Sequence, residues 1–392
     1  MSTAKRVVYV EGNVDGTIGG SYFSLLFLVS GLDRSRFEPL VVFAADNSLR
    51  PRFEERGVRT MVRPPPAPIV LRAPLLSLVA KALNFLIGAV IEPIRLAALL
   101  RRERIDLVHL NNSITRNHSW MIAARLAGIP CITHERGINP RFKERDRRLA
   151  KGLEAVVCIS SAVRENFLRL GLGHLRLFTI HNGLDPDEMR VTRPPEDIRR
   201  ELGISPSARL IGIVGNIKPW KGQEVVIRAA AQLRAEFPEL VCLLIGDTSP
   251  EEAAYRVKIN NMIDELGLHD HVIVTGFRTD VANYVNALEI QIHASVLPEP
   301  FGRVLLEAMS LAKPLVASND GAVPEIVVDG ETGFLFEPGN SEALAECLRV
   351  LLRDPARAAA FGRKGRERLE AQFSIRHNVQ ETERLYQQLL AS

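Results

Sequence analysis

Two open, doubly wound α/β domains are what the amino-acid pattern of this chain predicts, on three observations. Short β-branched runs alternate with longer amphipathic stretches along the sequence. A polar, proline-bearing segment, Asp185 to Asp197, interrupts the alternation near its middle. The 392 residues, 46% of them hydrophobic, are enough for two domains of roughly 150 residues or more, each with a core of its own.

The first series of strands is VVYV from Val7, LVVFA from Leu40, DLVHL from Asp106, PCIT from Pro130, AVVCIS from Ala155 and LFTI from Leu177. Apolar runs this short, each followed by a helical stretch, imply parallel strands covered on both faces. The run beginning at Val7 stops before Glu11, too soon for a signal-peptide core, so the chain is expected to begin with a strand. The longest apolar region is Leu75 to Leu100, but Lys81, Glu92, Pro93 and Arg95 interrupt it below the ~20 clean residues of a membrane span. It follows the proline-rich Arg63 to Pro68 and runs into Arg101, Arg102 and Arg104. Two readings fit it: a helix lying in a membrane interface, or a long core helix feeding the next strand.

The second series is RLIGIVG from Arg209, LVCLLIG from Leu240, HVIVTG from His271, LEIQIHA from Leu288 and KPLVAS from Lys313. New helices are expected at Pro355, after Asp354, and at Phe373-Ser374. The expected layout is a Rossmann-like domain over residues 1–188, a second over 189–373, and a C-terminal helix, 374–392, returning to the first. Ligands of doubly wound sheets sit at the carboxyl ends of the strands, which for two such domains facing each other is a central cleft.

Composition narrows the class. Gly 27 and Pro 23 are ordinary usage, against collagen-like or linker-dominated chains. Cys131, Cys158, Cys242 and Cys347 lie far apart with no CxxC pair, which suits neither a disulfide framework nor a zinc site and points to a reducing, cytoplasmic compartment. The net charge of +4 conceals an asymmetry: +10 through Arg190 and −6 after it. A basic half suits an acidic partner such as phosphate or an anionic membrane surface, or is a solvated arginine-rich face. No array of basic and aromatic residues for stacking bases accompanies it, so nucleic acid is not expected.

The densest chemical signal is PEPFGRVLLEAMSLAKPLVAS, Pro298 to Ser318. Glu299 falls at a strand-to-helix turn and Glu307 one turn into the helix. The amides around Gly302 to Val304 make a helix start suited to phosphate. Carboxylates on either side can accept hydrogen bonds from sugar hydroxyls, although a strand-end glutamate is as often a cap and a helical one a solvated face. The whole string resembles the signature of the family-4 retaining glycosyltransferases of GT-B architecture, E-P-F-G-x-x-x-x-E-A-M. Gly19-Gly20, Thr133-His134, Asn182 to Asp185, Gly215 to Gly222, Gly276 to Arg278 and Pro324 to Ile326 fall in that family's order, so the resemblance covers nearly the whole chain.

The resemblance implies a hexosyltransferase-type enzyme that moves a sugar from a nucleoside-diphosphate sugar to an acceptor hydroxyl with retention. Glu307 would bind the ribose hydroxyls, Glu299 the donor sugar, and the amides of Phe301, Gly302, Arg303 and Val304 the sugar and diphosphate. Gly19 and Gly20 occupy the position of the family's double glycine in GNVDGTIGGSYF, where small residues let amides approach a diphosphate; alone, that turn could be merely tight. Lys221, in VGNIKPWKGQ, would neutralise the leaving diphosphate. Asn216 stands where relatives carry an arginine, with Lys218 or Arg303 as possible compensation. His134 matches a histidine near the donor sugar, or is structural; His109 is read as packing at a strand end. Asn111-Asn112 stands where a second histidine is common, and Gly321-Ala322 where Gly-Gly is usual.

No cofactor and no metal site are expected, the nucleotide sugar being the substrate. The acceptor is a glycan, a lipid-linked saccharide or a small molecule. The location is cytoplasmic, extending to the inner face of the membrane if the basic half docks there. Two other readings stay open: a nucleotide-sugar epimerase or hydrolase on the same scaffold, and a non-catalytic protein bound to a membrane surface.

Overall fold

The computed structural model describes residues 4–14, 19–70 and 74–391. Residues 15–18 of the glycine-rich turn and 71–73 before the long apolar region lie outside the described residues. By its internal contacts the chain divides into two compact units, Met1–Gly183 with Ile375–Ser392, and Leu184–Ser374.

The first unit holds seven strands: β1 (Lys5–Glu11), β2 (Phe37–Phe43), β3 (Arg59–Val62), β4 (Leu107–Leu110), β5 (Cys131–Glu135), β6 (Ala155–Cys158) and β7 (Leu177–Thr179). They form one sheet in the order β3-β2-β1-β4-β5-β6-β7 with parallel pairings. The second unit holds β8 (Arg209–Val214), β9 (Leu240–Ile245), β10 (Val272–Gly276), β11 (Ile290–His293), β12 (Leu315–Ser318) and β13 (Gly333–Phe336). Its order is β10-β9-β8-β11-β12-β13, again parallel. Both sheets reverse direction of growth once, between β1 and β4 and between β8 and β11. The crevice beyond the carboxyl ends of those strands is where such sheets bind ligands.

The strand sequences are apolar because both faces are covered. In the second unit Leu210, Val241 and Leu243 pack on one side with Tyr284, while Ile211, Cys242 and Leu244 pack on the other with Val226 and Leu348, the period of two expected of a strand. Two strands escape sequence reading, β3 and β13. Both are four-residue edge strands with half-exposed positions, so neither carries the continuous apolar run of its buried neighbours.

The apolar region from Leu75 is helical, as both readings of it expected: Pro74–Leu86, a π-helical turn Ile87–Ile91, then Glu92–Arg102. Pro93 lacks an amide hydrogen and would clash with the carbonyl four residues before it in a regular helix. The wider turn ahead of it, where the Glu92 amide donates to the Ile87 carbonyl, relieves both problems. Residues 76–102 make a helix long and apolar enough to cross a membrane. Its two ends differ. Pro93, Leu96, Ala97, Leu99 and Leu100 are buried, whereas Leu76, Leu78, Val79, Leu83, Phe85 and Leu86 are exposed. Neither the core-helix reading nor the interfacial one describes the whole element.

Helices begin where capping chemistry allows. The Asp354 side chain accepts the Arg357 amide at 2.9 Å and Pro355 opens the helix Pro355–Gln372. The last helix, Ile375–Leu390, places Val379, Leu385, Tyr386 and Leu389 in the core of the first unit beside Val7, Tyr9 and Leu25.

Candidate active site

In the second unit the site is built on the ends of β8 and β11. After β11 the chain turns through Ser295 and Glu299 into the helix Arg303–Ser310. Glu299 is buried, and its Oε2 accepts from Lys221 Nζ at 2.7 Å, Ser295 Oγ at 3.0 Å and His293 Nε2 at 3.2 Å. Burial alone would raise this carboxyl; the His293 hydrogen bond and the Lys221 charge overcome it and hold it down at about 2. It is therefore ionised at neutral pH, an acceptor with no proton to give. Lys221 ends the short turn Pro219–Lys221 after β8, and its ammonium lies over the Trp220 ring, 4.0 Å from the centroid.

Two glycines fix this arrangement. Gly302 caps the helix Arg303–Ser310 with φ +88°, a conformation that side chains rarely adopt. Gly321, at φ +59°, lies so close to Glu299 that a Cβ would come within 2.3 Å of the Glu299 carbonyl oxygen. The next amide, of Ala322, donates to that carbonyl at 2.8 Å. Ala322 has an ordinary φ of −85°, so alanine fits at the second position of the family's Gly-Gly pair while the first cannot change.

Arg303 pairs with Glu307 Oε1 at 3.1 Å and with Glu188 in a closer contact. Two carboxylates thus claim the guanidinium, which argues against Arg303 as replacement for the missing arginine. Asn216 is exposed, and its carbonyl accepts Gln223 Nε2 at 3.1 Å. Of the residues singled out from the sequence, Lys221 and Glu299 are brought into contact, as are Arg303 and Glu307; Gly302 borders both pairs. His293 and Ser295 were missed. The usable signal was a histidine ending a strand six residues before the glutamate.

In the first unit, His134 and Glu135 end β5. Both are fully buried, and His134 Nδ1 lies 2.6 Å from His109 Nε2. His109 is not simply packed at a strand end, since its Nδ1 lies 2.5 Å from the Tyr386 hydroxyl. Asn111 joins Glu11 at 2.6 Å to the Arg136 guanidinium at 2.7 Å, and Asn112 Oδ1 accepts the Gly12 amide at 2.7 Å. The two asparagines that replace the family's histidine position thus tie β1, β4 and β5 together at their carboxyl ends. Gly19 caps the helix Gly20–Gly31, and a Cβ on either glycine would meet no described atom within 4 Å. Neither residue has positive φ, so the local backbone gives no reason for glycine at either place.

A cavity of about 460 Å³ opens beyond β1 and β2, with Val42, Pro66, Ile87, Leu96 and Trp120 among its apolar lining and Arg63, His118 and Arg145 among its polar groups. One wall is the π turn of the long helix. Arg63 pairs there with the buried Glu92 at 3.0 Å. Among the described residues, no three His, Cys, Asp or Glu side chains gather as a metal site would require.

Two doubly wound parallel sheets, one with an ionised glutamate at a glycine-capped helix start, define a glycosyltransferase of GT-B architecture. Two family models match, Glycosyltransferase Family 4 over residues 18–188 and Glycosyl transferases group 1 over 195–368. The chain belongs to this retaining glycosyltransferase family. Among its relatives, the alpha-maltose-1-phosphate synthase of Mycobacterium tuberculosis is 28% identical over 324 residues, 73% of this chain and 82% of that protein. The N-acetyl-alpha-D-glucosaminyl L-malate synthase of Bacillus anthracis is 26% identical over 305 residues, 76% and 78% of the two chains. Anabaena HepE, crystallised with UDP-glucose, is 26% identical and covers 97% of this chain and 99% of its own, with a TM-score of 0.78.

Proposed function

We propose that this glycosyltransferase moves a hexose from a uridine diphosphate sugar to the hydroxyl of an acceptor carried at a membrane surface. The observation that carries the donor half is the Glu299 carboxylate, held ionised by Lys221 and His293 beside a helix start. An anionic carboxylate with no proton accepts hydrogen bonds from two sugar hydroxyls. The helix dipole at Gly302 and the Lys221 ammonium face the charge that builds on the departing diphosphate. Glu307 takes the ribose hydroxyls, which requires it to share or leave Arg303. HepE, solved with UDP and UDP-glucose, supports uridine as the base. Same-face attack, with the leaving phosphate taking the acceptor proton, fits a site in which the nearby carboxylate is bound by three donors rather than free to attack.

The long helix carries the acceptor half. From Leu76 to Ile91 it exposes Leu78, Phe85 and Val90 at 65%, 66% and 44%, while Ala80 is buried and Asn84 and Gly88 face the rest of the unit, so one side of the helix is an exposed apolar face. Exposed Lys81 and Arg95 lie along the same helix and Arg101, Arg102 and Arg104 at its C-terminal end, charges that suit anionic lipid. Asn84 holds the Ile69 backbone through two hydrogen bonds of 2.8 and 2.9 Å, and Glu92 is held by Arg63, so the helix is tied along the domain and rests in the interface. The cavity walled by its π turn is the place for an acceptor with an apolar portion.

The test is release of UDP from a panel of UDP-hexoses with and without lipid-extract acceptor, in buffer with EDTA. Release stimulated by the lipid fraction and persisting in EDTA is expected; release driven equally by water-soluble sugars would overturn the acceptor class. Binding to vesicles of phosphatidylglycerol and phosphatidylcholine should fall when Arg101, Arg102 and Arg104 become glutamate. Unchanged binding would reduce the arginines to a solvated face.

A further inference from the structure

Four buried polar side chains of the first unit form an unbroken line. The Tyr9 hydroxyl lies 2.7 Å from that of Tyr386, which lies 2.5 Å from His109 Nδ1; His109 Nε2 lies 2.6 Å from His134 Nδ1. The line joins β1, the C-terminal helix, β4 and β5. Tyr9, His109 and Tyr386 are 0% exposed and His134 is 1% exposed. At the far end, His134 Nε2 is buried with no hydrogen-bond partner among the described residues.

Proton counting fixes the polarity of such a line. Burial, ahead of the Arg136 charge, holds His109 down at about 3 and His134 well below the ordinary histidine range. Both imidazoles are therefore neutral and carry one N–H each. Each tyrosine keeps its proton, since burial raises both phenols. Four protons serve three hydrogen bonds, so one is left over at an end. Were it at the Tyr9 end, an O–H would be buried with no acceptor among the described residues, the Glu383 oxygens being taken by the Asp33 amide and Arg36, and His134 Nε2 would be a second buried orphan. With the opposite polarity every hydroxyl is satisfied: Tyr9 donates to Tyr386, Tyr386 to His109 Nδ1, His109 Nε2–H to His134 Nδ1. The leftover proton sits on His134 Nε2.

We infer that Tyr386 and His109 are positioning residues that lock His134 as the neutral Nε2–H tautomer, so that it serves as a fixed hydrogen-bond donor to a substrate oxygen and not as a base. The unpartnered N–H stands at the carboxyl end of β5, the side on which parallel sheets receive ligands. An acceptor of the class found on a nucleotide sugar, a hydroxyl or phosphoryl oxygen, completes it. This inference rests on the glycosyltransferase reading for the identity of that oxygen, but the tautomer itself does not depend on it.

Two-bond proton–nitrogen correlation spectra of the full chain labelled in histidine nitrogens read the tautomer directly. The expected result is His134 protonated at Nε2 and bare at Nδ1. Replacing Tyr386 (Y386F) removes the donor to His109 Nδ1, after which both polarities of the histidine pair leave the same two orphans, one N–H and one bare nitrogen. His134 should then appear as a mixture of tautomers, and kcat for sugar transfer should fall roughly tenfold with KM for the donor changed less than twofold, the mark of a transition-state hydrogen bond. The Y9F variant deletes a hydroxyl from the same core but leaves the Tyr386 proton only His109 to go to, so the tautomer should stay single. A wild-type His134 protonated at Nδ1 or doubly protonated at neutral pH overturns the inference, as does a Y386F protein with an unchanged single tautomer. A wild-type chain that turns over no sugar nucleotide would refute the glycosyltransferase reading while leaving the spectral result to decide the wire.

Discussion

Glu135 and Glu299 are both buried carboxyls at the carboxyl edge of a parallel sheet, one in each unit, and their proton affinities are shifted in opposite directions. Glu135 accepts the Asn139 side chain at 3.0 Å and the Ile114 amide at 3.3 Å, all neutral donors, and burial pushes it up to about 7. Glu299 is nearly as enclosed, yet a lysine and a histidine bring it down to about 2. Burial by itself therefore does not mark a working carboxylate. What separates the two is a cation placed within hydrogen-bonding distance, because neutral donors only partly replace lost hydration.

Removing the charge while keeping the shape breaks the comparison most sharply. E299Q should lower sugar transfer by ~10²–10³-fold, whereas E135Q, replacing a carboxyl bound only by neutral donors and with no cation beside it, should transfer at close to the wild-type rate. Equal losses in the two variants, read from UDP release, would mean that the Glu299 charge is incidental. Next comes the cation. K221M strands a buried carboxylate and should cost ~3–5 kcal/mol in urea unfolding. In the same variant the acid limb of the transfer rate should move toward neutral pH, since Glu299 then resembles Glu135. A wild-type pH profile in K221M would contradict this.

Smaller effects sharpen the picture. G321A forces a Cβ against the Glu299 backbone at positive φ and should cost at least ~1–2 kcal/mol from the conformation alone. G330A, at φ +73° but with no atom near its Cβ, controls for that conformational part, and only G321A should also impair transfer. The gentlest test is pH. Glu135 binds its proton more tightly folded than unfolded, so its contribution is complete below the unfolded value of 4.5 and is lost as pH rises through about 7. Across that window its slope approaches ~1.4 kcal/mol per pH unit at most, stability falling with pH, and E135Q should flatten it. Glu299 has the opposite sign: its contribution is complete above 4.5 and vanishes as pH falls through about 2.

What the sequence could and could not disclose follows from the range of the interactions. The strand runs from Val7 to Ser318 carry their own signal because both faces of each are apolar, and Glu299, Gly302 and Glu307 share one helix start, so local spacing reveals them. His293 lies only six residues before Glu299, so that pairing left a local trace, but its contact with Ser318 crosses the β11–β12 register, which no local pattern encodes. The His109–Tyr386 contact spans 277 positions, and a lone tyrosine in a C-terminal helix reads as core. The edge strands β3 and β13 were too short and too exposed to carry periodicity. The π turn that accommodates Pro93 was not legible, being a property of the whole helix rather than of the residues beside it.

The C-terminal helix also governs when the first unit becomes complete. Its core takes in Val379, Leu385, Tyr386 and Leu389, residues made after the whole of the second unit has been synthesised. For as long as those 191 intervening residues, Leu184–Ser374, are being synthesised, the face of the first sheet that they will cover stays open. The nascent first unit thus leaves an apolar face uncovered during that interval, while the second unit, continuous in sequence, has no such wait.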